Sequence, residues 1–244
     1  MAGHSKWANI KHRKGANDVK KGKVFGKMIK EILAAAKQGN TTPELNPRLR
    51  IAIQNAKSAN VPKQNIERAL KKSTQKDAQQ YAEVVYEGYA AHGVGVIVVC
   101  MTDNTNRAVA AVRAAFAKHG GSLCKTNDLA FLFDKNGMFT LSKASVSSEE
   151  ALSEAMIQAE ASDIDFRDGR YQIVCPIECF GNVQKALEED LRIDIQSAGI
   201  IYVPRHTVAL QSSKAALLYD FVEVLEEQED VHQVFHNLSQ FGPL

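Results

Sequence analysis

Near Asp77 the period of the apolar residues changes, and no single sheet or bundle can accommodate both halves of the pattern. From Asp18 to Lys37 the apolar positions are Phe25, Met28, Ile29, Ile32, Leu33 and Ala36, steps of three and four that mark one face of a helix. Gly39 and Asn40 stop it. Lys20, Lys23, Lys27, Lys30 and Lys37 fall on the opposite face, which predicts a row of ammonium groups in water. A second helix is predicted over roughly Pro47 to Ala59, with Leu49, Ala52, Ile53 and Ala56 inward. Pro62 opens a third, in which Ile66, Ala69 and Leu70 repeat the spacing. Three short helices with short loops make a small bundle with a basic exterior.

Beyond Asp77, "YAEVVYEGYA" and "GVGVIVVC" read as two strands of a hairpin around "AHG". "TDNTNRAVAAVRAAFAKHGG" reads as a capped helix closed by paired glycines. "LAFLFD" and "GMFTLS" read as strands with "KNG" as their turn. A helix over Ser148 to Ala161, strands "DIDFRD" and "RYQIVC", helix "PIECFGNVQKALEED" and strand "IDIQSAGIIYVP" follow. The chain closes with strand "TVALQ", helix "KAALLYDFVEVLEEQ" and strand "VHQVFHNL". The fold class expected is α+β: an N-terminal three-helix domain followed by two α/β sandwich domains with mainly antiparallel sheets. Tyr81 to about Lys125 offers too few strands for a finished sheet. The predicted division is therefore 1–76, then 77–128 together with 205–244, with 129–204 inserted; a consecutive arrangement is the alternative.

Charge follows the same boundary. Residues 1–76 carry 18 Lys or Arg against 4 acids, while the rest carries 12 basic and 24 acidic groups, a segregation that the overall net charge of +2 conceals. A charge-balanced surface does not sort itself this way, so the basic module is expected to meet a polyanion. Its opening stretch, "GHSKWANIKHRKG", has no acid and few apolar residues to anchor it. The candidate contact residues are Lys6, Trp7, Lys11, His12, Arg13, Lys14, Lys20, Lys21, Lys23, Lys27, Arg48 and Arg50. Trp7 reads first as a packing anchor that tethers the arm, with base stacking as the alternative role. On the N-terminal helices, Arg48, Arg50 and Arg68 are the few groups with the planar fork that suits bidentate contact to guanine.

Other classes fit less well. The lysine helix has the look of a membrane-surface helix, but its Ala-rich apolar face is sized for burial by the next two helices. No apolar run reaches the length of a membrane span and no secretory leader is visible, so a cytoplasmic location is expected. Cys100, Cys124, Cys175 and Cys179 suggest reduced, mostly buried thiols, and the Cys175/Cys179 pair lacks the second pair a zinc site needs. "GKVFGK" resembles a phosphate loop but is a residue short and lies in a helix. No catalytic grouping can be identified from spacing. The expectation is a protein that is not an enzyme, with no cofactor, metal or small-molecule substrate.

Long stretches of the chain are specific as well as patterned. "MAGHSKWANIKHRKGANDVKKGKVFGKMIKEI", "NPRLRIAIQNAK", "NVPKQNIERALKK", "YEGYAAHGVGVIVVCMTDNTNRAVAAVR" and "FAKHGG" closely resemble the YebC/PmpR family in order from Met1 to about Phe133. The resemblance resumes at "IYVPRHTV" and "VFHNL". "YAAHGVG" departs from the Pro/Gly-rich turn usual there, and "KTNDLAF" stands where small residues are usual. The resemblance implies a helical domain followed by two α/β domains. It also implies probable DNA-binding transcriptional regulators of the bacterial cytoplasm. Similar proteins, including a mitochondrial translational activator of cytochrome oxidase, act on translation and are linked to ribosomes stalled at proline runs. Nucleic acid is thus the implied partner, as DNA or as ribosomal RNA.

Overall fold

The computed structural model describes residues 18–75 and 80–239, with side chains described from residue 22 onward. Helix α1 (Asp18–Gln38), α2 (Pro47–Ser58) and α3 (Lys63–Ser73) form the N-terminal bundle. Ile32, Leu33, Ala36, Leu49, Ala52, Ala56, Ile66 and Ala69 make its core, as the spacing predicts. The Asn46 side chain caps α2 by accepting from the Leu49 amide at 3.0 Å, and Pro47 takes the first turn, where no amide hydrogen is needed.

Two four-stranded sheets follow, antiparallel throughout. The first has the order β3-β1-β2-β8, from β1 (Ala82–Tyr89), β2 (Gly95–Thr102), β3 (Ser122–Leu123) and β8 (Val231–His236). The second has the order β5-β6-β4-β7, from β4 (Phe133–Ser142), β5 (Asp163–Arg167), β6 (Arg170–Pro176) and β7 (Ile195–Pro204). Strand β8 closes the first sheet after the whole second sheet has been made. Helices α4 (Thr105–Lys118) and α7 (Ser212–Glu226) cover one face of the first sheet, where Phe116 and Phe221 meet edge to face at 4.9 Å. Helices α5 (Glu149–Gln158) and α6 (Phe180–Lys185) cover the second.

The remaining sheet faces pack on each other through Ile97, Val99, Phe133, Val174, Ile201, Val203 and Phe235. This explains why every residue of β2 is buried: Val96, Val98 and Cys100 face the helices, while Ile97 and Val99 face the other sheet. Cys100, Cys175 and Cys179 are buried free thiols and Cys124 is partly so; burial pushes the Cys100 thiol up to about 12.

Two strand assignments need correction. "LAFLFD" and "GMFTLS" are not separate strands: Phe133–Ser142 is one continuous strand and "KNG" lies inside it. Gly137 is there because a Cβ would lie 2.3 Å from Phe180 Cδ2 and 3.0 Å from Cys175 Sγ, a close approach that sequence reading mistakes for a turn. "TVALQ" is not a strand either; Val208 makes an isolated parallel bridge to Leu238. At the two places where the chain departs from its resemblance, the backbone is held locally. The hairpin tip Ala91–Gly93 carries His92 at φ 64° and closes with the Ala90 amide donating to Val94 O at 2.8 Å. The loop through Asn127 is pinned by the buried Glu87 carboxylate, which accepts from the Asn127 and Leu129 amides at 2.8 and 2.7 Å.

Candidate nucleic-acid interface

The lysine row of α1 divides. Lys23 and Lys37 are exposed, as predicted. Lys27 is half-buried and donates to the Glu226 carbonyl at 2.9 Å; burial lowers its pKa, partly offset by the Glu226 charge. Lys30 is buried, not in water. Its ammonium donates to Glu229 O at 2.9 Å, lies 3.4 Å from Asp230 Oδ1 and sits 5.7 Å from the centre of the Tyr81 ring. Asp230 also takes two 2.8 Å hydrogen bonds from Arg107, whose Nη2 reaches Asp103 at 2.8 Å as well. Burial alone raises Asp230, but Arg107 and Lys30 together more than offset it and hold the carboxyl below its usual range. The helix period therefore identifies two faces where the protein has three: core, solvent, and a flank docked on the turn after α7.

Arg48 and Arg50 are engaged within the molecule too. Arg48 pairs with Glu83 of β1 at 3.0 Å and donates to Gln38. Arg50 pairs with Glu188 at 3.1 Å and donates to the Glu44 carbonyl at 3.0 Å. Their forks tie the bundle to the body, Arg48 to strand β1 and Arg50 to the helical stretch after α6. Sequence reading overlooked the cations that do project: Lys57 of α2 and Lys63, Lys71 and Lys72 of α3 are exposed, alongside Arg68, which it noticed. The signal was there in the spacing, since Arg68, Lys71 and Lys72 lie three and four residues apart, opposite Ile66, Ala69 and Leu70. Lys6, Trp7, Lys11, His12, Arg13 and Lys14 lie outside the described residues, and Lys20 and Lys21 belong to the first turn of α1.

The body beneath contributes acids. Glu226, Glu229 and Asp230 face the α1 flank, and the Glu229 side chain is 85% exposed. Among the described residues, no group of three or more His, Cys, Asp or Glu is placed to hold a metal ion, and no helix is long and apolar enough to cross a membrane.

Residues 5–76 match the TACO1/YebC protein N-terminal domain, and residues 81–238 match the TACO1/YebC second and third domain. The chain belongs to the TACO1/YebC family. A relative from Amoebophilus asiaticus (strain 5a2), named "Probable transcriptional regulatory protein", is 53% identical over 241 residues, 98% of each chain. The crystal structure of a conserved hypothetical protein from Aquifex aeolicus is similar at a TM-score of 0.80 and 40% identity, over 96% of this chain and 97% of that one. The family bounds fall where the charge balance changes sign.

Proposed function

We propose that this TACO1/YebC protein is a nucleic-acid-binding regulator of gene expression that acts in the cytoplasm without catalysing a reaction. One observation carries the reading: 18 cations against 4 acids in the helical module, on a body with twice as many acids as cations. Such a body repels phosphates and confines contact to the module. The contact surface is read as Lys6, Lys11, Arg13, Lys14, Lys20, Lys21 and Lys23, extended by the exposed lysines of α3. The body is read as two units, 77–128 with 205–244 and 129–204. The leading target is DNA in transcription control, in keeping with the name of the Amoebophilus relative. Ribosomal RNA is the second reading, and the engagement of Arg48 and Arg50 favours it. With those forks occupied, the module offers mainly lysines, which follow phosphates in either nucleic acid.

Competition binding against a random-sequence DNA pool, at near-physiological salt, separates the two. Selection of one operator by about a thousandfold supports the DNA reading. A flat selection, with co-sedimentation on ribosomes that needs Lys11 to Lys14, supports the RNA reading. In either case about six neutralised phosphates give a log–log salt slope of about −4 to −5, and Lys11, Arg13 and Lys14 changed together to Ala flatten it by about 2 to 3. A slope that the triple variant leaves unchanged removes the arm from the contact surface.

A further inference from the structure

Where α1 meets α2 and β8, the Glu31 carboxyl is buried. Its Oε1 accepts from Asn55 Nδ2 at 3.2 Å. Its Oε2 is shielded from solvent, has no hydrogen-bond partner among the described residues and faces His232 Nε2 at 3.7 Å, beyond hydrogen-bond reach. Both side chains are largely enclosed, 17% exposed for Glu31 and 11% for His232. Asn55 also holds β7, donating to Ala198 O at 2.9 Å and accepting from its amide at 3.0 Å. One buried carboxyl thus touches the groups that join the bundle to both sheets.

We propose that Glu31 and His232 form a protonation latch for the seating of the helical module on the two sheets. With one proton on the pair the junction carries no net charge, and the module sits firmly. Without it a bare carboxylate, half of it unbonded, is left in the interface and the seating weakens. Burial pushes the Glu31 carboxyl up to about 7, against a hydrogen bond from Asn55 and the Arg48 charge, while Glu83 raises it further. Arg48 and Glu83 pair with each other, so their effects on Glu31 largely cancel. Among the described residues, the other charged groups on and beside α1 near Glu31 are turned elsewhere: Lys27 to the end of α7, Lys30 to the turn after it, and Asp230 and Glu229 to Lys30. Tyr81 lies beneath the Lys30 ammonium, Cys100 is buried in β2, and α3 meets α1 through Ile66, Ala69 and Leu70.

The sign follows from linkage. A carboxyl whose docked pKa is raised contributes its full seating strength below the free value of 4.5 and loses it as pH rises to about 7. Between pH 5 and 8 the seating equilibrium is expected to weaken by about 70-fold. The latch does not depend on what the module binds.

Two measurements on the full chain test it. Carbon-13 titration of the Glu31 carboxyl should give a midpoint near 7, moved by about half a unit or more in His232→Gln. A midpoint in the ordinary carboxylate range overturns the latch, and an unmoved one removes His232 from it. The second readout is hydrogen-exchange protection of the Ala198 amide, corrected for its intrinsic rate. It should fall between pH 5 and 8 in the parent chain and stay high and level in Glu31→Gln. Level protection in the parent, or an equal fall in the variant, overturns the proposal.

Discussion

Gly137 shows how a residue is misread when only its neighbours in sequence are known. "KNG" has turn chemistry, yet Gly137 pairs in register with Cys175 on one side and Ile200 on the other. What requires glycine is the Phe180 ring, itself packed against Phe139 with ring centres 4.5 Å apart and planes tilted by 35°. Gly137→Ala should therefore destabilise the fold by about 1–3 kcal/mol, as overpacking does. Adding Phe180→Leu should recover part of the loss, the non-additivity expected of residues in contact. Urea unfolding of the single and double variants gives both numbers. A single variant as stable as the parent would show that Phe180 can move aside freely. Arg48 and Arg50 likewise have long-range partners that their neighbours in sequence do not reveal, since their forks suit carboxylates as well as bases. Their partners, Glu83 and Glu188, lie far along the chain.

Elements were more legible than residues because their signals are local. The apolar period of α1, α2 and α3 depends only on neighbours within a turn, and all three helices stand where the spacing puts them. Their joints hold extra information. Asn46 caps α2, and its amide donates to Ala35 O at 3.0 Å and Asn40 O at 2.7 Å, so one buried side chain begins α2 and ties down the end of α1. Asn46→Ala should cost about 1–3 kcal/mol, the sum of a lost cap and carbonyls left without their donor. A melting temperature equal to that of the parent would contradict this account of the joint. Strand "TVALQ" failed at the same scale. Alternation proposed a strand there, but a strand exists only where a partner runs alongside, and Val208 alone finds one.

At the scale of the whole molecule, a buried polar cluster holds the basic module to an acidic body. Asp230 is its centre, receiving Arg107 and Lys30. Asp230→Ala leaves the buried Lys30 ammonium with the Glu229 carbonyl and the exposed Glu229 carboxylate at 3.4 Å, and losing hydrogen bonds between charged groups costs about 1.5–3 kcal/mol. Amide exchange across α1 should quicken accordingly, and unchanged exchange would mean that the Asp230 cluster does not hold the module in place. The pH signs of the two buried acids oppose each other. Asp230, held low, supports docking above its free value of 3.8 and loses that support as pH falls; Glu31, held high, loses its support as pH rises from 4.5 to about 7. What the sequence determined by itself was whatever rests on short-range period and on summed charge. That includes the three helices, most of the strands, the sign boundary near Asp77 and hence the kind of partner expected. Only the tertiary structure decided which cations remain exposed and which are paired with the body. It alone placed the two sheets face to face with Glu31 beside His232. The reason is physical: helix propensity and total charge accumulate along the chain, whereas burial and ion pairing depend on which distant segment arrives alongside.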